Sequence, residues 1–196
     1  MNHRLQCQCG AIRGHLALPA TAIRAICYCK DCQAFARYLG RAGDVLDEHG
    51  GTDIVATQPS HVRFEQGLDA LACMSLSESG ILRWYASCCR TPLGNTPRDR
   101  KTHYVGLVHS CLASEPLDAS FGPARLHFNA KSARGNVRDT PLSTVLAILK
   151  LMGWIIPARL TSRHRENPFF DTASGDPIRQ PQVLSKAEVS ALKGAV

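Results

Sequence analysis

Cys27, Cys29 and Cys32 set three thiols within six residues, in the run Cys27-Tyr28-Cys29-Lys30-Asp31-Cys32. Two sulfurs spaced C-x-x-C converge on one ion at about 2.3 Å each, with tetrahedral geometry. The C-x-C step before them brings a third sulfur to the same side, because alternate residues of an extended segment share a face. Three thiolates without a local fourth ligand describe a zinc site with an open position. That open position is what separates catalytic from structural zinc. The alternative is a closed structural site whose fourth ligand, such as Cys73, Cys111 or a histidine, comes from far along the chain. Cys73 and Cys111 otherwise read as small apolar residues of buried strands.

Two further thiol groups extend the pattern. Cys7 and Cys9 stand in Cys7-Gln8-Cys9-Gly10, and Cys88 and Cys89 in Ser87-Cys88-Cys89-Arg90-Thr91-Pro92-Leu93-Gly94. Taken with the central cluster they predict two metal sites. A vicinal disulfide between Cys88 and Cys89 would be strained.

The elements that must hold these thiols are mostly short strands. Residues 12–18 alternate apolar and polar, with Gly14 interrupting, and Pro19 ends them. Residues 23–29 form a strand that delivers the central cluster. Asp31 caps a short helix running to Gly40, whose N-terminus would offset negative charge on the thiolates. Strands follow around Val62 and Phe64, over 71–76 and 81–85 about the turn Ser77-Glu78-Ser79-Gly80, and over 104–108. Trp84-Tyr85 belongs to the core of such a strand. The expected fold is therefore mainly β, a zinc domain over residues 1–121.

Past Phe121 the character changes. Residues 124–128 suit one more strand. Thr140-Pro141 opens an apolar helix to about Gly153, and Ser185 with Glu188 forms a capping box for a last helix. Residues 167–182, rich in Pro, Asp and Gly, read as a surface loop. Residues 122–196 are thus a basic, α-containing C-terminal extension packed on the first domain.

Nine cysteines, an odd number, exclude a fully paired disulfide scaffold. No basic segment followed by an apolar run and a small-residue cleavage site opens the chain, so a cytoplasmic protein with reduced thiols is expected. The stretch 142–160 is broken by Lys150, Gly153 and Pro157, and reads as a partly buried helix rather than a span, with no membrane partner. The net charge of +7 is uneven: residues 1–121 carry 12 Lys+Arg against 11 Asp+Glu, and residues 122–196 carry 11 against 5. A basic half attracts anions. It lacks the aromatic-interleaved run or recognition helix of a nucleic-acid reader, so nucleic acid is not the expected partner.

The three cysteine motifs resemble those of the glutathione-dependent formaldehyde-activating enzymes, a family whose fold is shared with centromere protein V. The resemblance rests on Cys7-Gln8-Cys9-Gly10, Cys27-Tyr28-Cys29-Lys30-Asp31-Cys32 and Cys89-Arg90-Thr91-Pro92-Leu93, over residues 5–112. It implies a β-tent fold (Mss4-like) with two Zn2+ ions. A structural zinc would take Cys7 and Cys9 plus thiols of the later motif, Cys89 and Cys88; a catalytic-type zinc would take Cys27, Cys29 and Cys32. The implied activity is carbon–sulfur lyase chemistry on a small thiol adduct, such as the S-hydroxymethyl conjugate of glutathione. A non-catalytic, zinc-stabilised module engaging an anionic partner is the alternative, matching the structural role in centromere protein V.

The chain departs from the family pattern F-C-x-x-C-G-x-x-L. Ala86 stands where its first cysteine falls, Arg90 replaces its glycine, and Tyr28 replaces a usual histidine. Either the backbone bends so that Cys88 and Cys89 reach one ion, or that site has three thiols and an outside ligand. Asp31, His49, His61 and His103 are the candidate acid/base groups for moving a proton near the open position.

Overall fold

A computed structural model describes residues 2–194, leaving Met1, Ala195 and Val196 of the two expected domains outside it. The strands are β1 (Asn2–Gln6), β2 (Arg13–Ala17), β3 (Ile23–Cys27), β4 (Thr52–Thr57), β5 (Val62–Gln66), β6 (Leu71–Ser75), β7 (Leu82–Ala86), β8 (Pro92–Thr96), β9 (Val105–Val108), β10 (Leu126–Phe128) and β11 (Gln182–Val183). The helices are α1 (Lys30–Tyr38), α2 (Ala42–Val45), α3 (Leu117–Phe121), α4 (Pro141–Leu160) and α5 (Lys186–Gly194). The architecture is mainly β, with two sheets and flanking helices.

The small sheet runs β1-β2-β5, and the large one runs β10-β3-β4-β9-β8-β7-β6-β11. Apolar faces of both meet in one core that includes Leu5, Ile12, Leu16, Val55, Trp84, Leu93 and Leu107. Burying each such aliphatic side chain contributes about 2 kcal/mol. Trp84 is fully buried against Phe169, and its indole N–H donates to Thr96 Oγ1 at 2.9 Å. Gly14 is required where β2 meets β5: a Cβ there would lie 2.0 Å from the Arg63 carbonyl oxygen, at a register shift in the pairing.

Several elements differ from their sequence expectations. β1, β4 and β8 show no apolar–polar alternation in sequence; β1 does alternate in burial, but His3 takes one of its two buried positions. All five residues of β8 are buried, and β4 has only Asp53 part-exposed, so both faces meet protein and no polar face marks the strand. The tail half joins the large sheet at both edges: β10 pairs parallel with β3, and β11 pairs parallel with β6. The capping box forms as read, with Glu188 Oε2 accepting from the Ser185 amide at 2.8 Å and the Glu188 amide donating to Ser185 Oγ. The α5 helix then packs on α1, and Arg37 donates to the Leu192 carbonyl.

The helix α4 overturns two expectations. It continues past Gly153 and Pro157 to Leu160, and the Thr161 amide and hydroxyl both close its last turn on the Pro157 carbonyl. It is also not a half-buried helix: Ala147 and Ala158 are its buried residues, while Leu142, Leu146, Leu149 and Leu160 are mostly exposed. By length and composition α4 is long and apolar enough to cross a membrane.

Candidate metal centres

Seven of the nine cysteines gather into two groups. In each, the sulfurs all lie within 4.8 Å of one another: Cys7, Cys9, Cys88 and Cys89 in one, and Cys27, Cys29 and Cys32 in the other. Tetrahedral zinc–thiolate geometry places neighbouring sulfurs about 3.8 Å apart. In the first group the sulfurs of Cys7 and Cys9 are 3.5 Å apart, Cys9 and Cys88 3.2 Å, and Cys88 and Cys89 3.8 Å. That spacing fits one ion with little rearrangement. Both groups could therefore hold a metal ion.

The first group is assembled by the turn after β1 and the turn after β7. The Ile12 amide donates to Cys7 Sγ at 3.3 Å, and the Gln8 amide donates to Thr91 Oγ1 at 3.0 Å, joining the two turns. The backbone bends at Cys88-Cys89, so these adjacent sulfurs reach the same group instead of pointing to opposite faces. Arg90 makes the bend, in the left-handed region at φ 56°. Its guanidinium donates to the Leu39 and Tyr38 carbonyls at the end of α1 and lies over the Tyr38 ring. The protonation pattern is uneven. Burial pushes the Cys88 thiol up to about 12, helped by its sulfur neighbours. Cys89 is drawn down to about 6: burial alone would raise it, but the Thr91 hydroxyl and the amides of Cys9 and Thr91 outweigh that.

The second group sits where β3 runs into α1. The cap expected from Asp31 belongs instead to Cys29, whose sulfur accepts from the Cys32 amide at 3.3 Å. A sulfur at the N-cap needs no extra residue between strand and helix, and it faces the positive end of the helix dipole. Cys29 is accordingly the thiolate of the group. Hydrogen bonds from Cys27 and Cys32 pull it well below the ordinary thiol range, with help from the Cys32 amide and the charge of Arg83. Cys27 is raised mainly by its hydrogen bond to Cys29, and Cys32 by its bonds to Cys27 and then Cys29, with burial adding to both. Cys32 is buried, while Cys27 and Cys29 are half-buried. Among the described residues no fourth His, Cys, Asp or Glu joins this group.

The other candidates fall elsewhere. Cys73 and Cys111 are buried in the core and donate to backbone carbonyls, so neither supplies a fourth sulfur. His61 and His103 are buried on Thr57 and Ser60, and His49 bonds the Arg134 carbonyl. Asp31 is held by Lys193 Nζ of α5 at 2.6 Å and lies 4.0 Å from Arg83.

Three neighbours of the second group carry no local sequence signal. Arg83 is buried on β7 over the Phe35 ring. The Tyr104 phenol is driven up by burial and then by the negative charge of Cys32, Cys27 and Cys29, which keeps its proton on. Asn129, left-handed at φ 56° just after β10, directs its amide at Cys27 Sγ, 3.8 Å away. All three are delivered by strand pairing across the large sheet. The strands expected over 81–85, 104–108 and 124–128 contain or adjoin these residues, but nothing in their spacing pointed them toward the thiols.

A β-rich chain with two thiol groups able to hold metal is the class that fold and sites define. Residues 2–180 match the model of a family described as a family of unknown function (DUF6151), and the chain belongs to that family. The match runs through both halves of the chain. No curated protein matches it. A crystal structure of a Rhodobacter sphaeroides protein, a structural-genomics target, is similar at 18% identity and a TM-score of 0.41, covering 64% of this chain and 99% of that one.

Proposed function

We propose that the protein is a zinc enzyme of the carbon–sulfur lyase type, acting on S-hydroxymethyl adducts of small thiols such as glutathione. One observation carries the reading: four sulfurs gather at the first group, three at the second. Four thiolates fill a tetrahedral ion, whereas three leave a position free. The cysteine motifs, with the family resemblance and β-tent fold they imply, support the same division into a structural and a reactive site.

Zinc held by Cys27, Cys29 and Cys32 would carry a formal charge of minus one and favour holding an incoming thiol as thiolate. The chain's own residues supply the surroundings. Arg83 offsets the negative charge of the thiolates, most directly that of Cys29. Asn129 offers an amide donor at the Cys27 side. In the breaking direction the sulfur keeps the electron pair of the cleaved carbon–sulfur bond, and the hydroxyl gives up its proton as the carbonyl forms. Asp31, beside Cys32 in the chain, is the group proposed to take that proton, while the Tyr104 phenol keeps its own.

The test is exchange between free and hydroxymethylated glutathione in a mixture with formaldehyde, followed by NMR. Zinc-loaded protein is expected to accelerate the exchange, and Cys29→Ser to abolish the acceleration. Unchanged exchange in the presence of protein carrying two zinc ions per chain refutes the proposal. The second reading, a zinc-stabilised module for an anionic partner, draws on the excess of basic residues over 122–196. Tight, steeply salt-dependent binding of an anionic polymer would favour it.

A further inference from the structure

The helix α4 has two unlike sides. Thr144, Ala147, Leu151 and Ala158 recur at helical spacing and face the protein, buried or half-buried. Leu142, Val145, Leu146, Leu149, Ile156 and Leu160 recur on the opposite side, each more than half exposed. A helix apolar all round belongs in a core or in lipid, and this one's outer side is not in the core. The charge in its middle is turned away from that side: Lys150 Nζ donates to the Ala22 carbonyl at 3.3 Å and lies over the Trp154 ring.

Spanning is excluded by how the ends are tied. At the N-terminal end the His127 amide of β10 donates to Thr140 Oγ1 at 3.0 Å. Beyond the C-terminal end, residues Arg163–Arg165 pack against Pro59–His61, and by Phe169 the chain is back in the core. A 20-residue helix is about 30 Å long, the thickness of the hydrocarbon layer, so crossing it would part these two anchors across the bilayer. The helix can only lie flat.

Its flanks select the occupant. Exposed Arg134 and Arg138 precede the helix, and exposed Arg159, Arg163 and Arg165 close it, against Asp139 and Glu166. A second copy, paired parallel or antiparallel, would set arginines against arginines. We infer that the outer side of α4 seats the protein in the plane of an anionic lipid surface, with the leucines in the acyl boundary and the arginines on the headgroups.

The test uses the full zinc-loaded chain in flotation with vesicles of phosphatidylcholine, alone or with about one-third phosphatidylserine. Binding to the anionic vesicles at least about tenfold above the neutral ones is expected. The triple change Leu142→Ser, Leu146→Ser, Leu149→Ser should abolish it with the circular dichroism spectrum unchanged, since all three are exposed. Arg159→Glu with Arg163→Glu and Arg165→Glu should lower binding about tenfold or more. Equal binding to both vesicles, or none, overturns the inference. So does a dimer in sedimentation that the leucine changes dissociate, which would assign the face to a second copy.

Discussion

Arg90 offers a sharp test because an ordinary preference should reverse there. Its φ of 56° lies in the left-handed region, which costs an L-residue about 1 kcal/mol or more and costs glycine nothing. The native arginine offsets this strain by donating to the Leu39 and Tyr38 carbonyls, two free carbonyls at the end of α1, and by lying over Tyr38 at 5.4 Å from the ring centroid. Those bonds and the stacking together contribute about 2 kcal/mol at an exposed position. Arg90→Ala loses the contacts and keeps the strain, so it should destabilise by about 2 kcal/mol. Arg90→Gly loses the same contacts but sheds the strain, leaving a net cost of about 1 kcal/mol. The expected order is wild type, then glycine, then alanine, with the last two about 1 kcal/mol apart, or roughly 2–4 °C in Tm for a chain of this size. Thermal and urea unfolding at one fixed free zinc concentration would measure it, because bound metal adds its own stabilisation. An alanine variant as stable as the glycine variant, or more so, would refute the strain argument and the role given to this turn.

Cys27→Ser, Cys29→Ser and Cys32→Ser combined should reduce bound zinc from two ions per chain to one by elemental analysis; two retained ions would defeat the site assignment. Cys73→Ala and Cys111→Ala should leave both ions in place, and the cavity each opens should cost about 1 kcal/mol in urea unfolding. His103 gives a pH prediction. Burial, then the nearby charges of Arg163, His61 and His164, hold its imidazole down to about 4 from the usual 6.5. As pH falls from about 6.5 the unfolded chain takes the proton first, so the folded state loses about 3 kcal/mol by pH 4. Unfolding of His103→Gln should be flatter than wild type across that window, and parallel curves would contradict the assignment.

What could be read locally was what depends on local spacing. The thiol cluster of Cys27, Cys29 and Cys32 is legible because a strand-to-helix step sets those sulfurs on one side within six residues. The Ser185–Glu188 box is legible because its bonds close within three residues. The alternation of residues 12–18 marks β2 because one of its faces stays part-exposed. Doubly covered strands such as β4 and β8 carry no such mark.

The thiol types and their spacing, the mainly β character, and the basic excess after residue 121 belong to the sequence alone, since each rests on residue identity or short-range periodicity. Tertiary structure decided that Cys88 bends into a group with Cys9, 79 residues away, and that Arg83, Tyr104 and Asn129 surround the other thiols. It also decided that the apolar side of α4 faces outward. A helical pattern shows which residues share a side, but what that side meets depends on where distant strands pair.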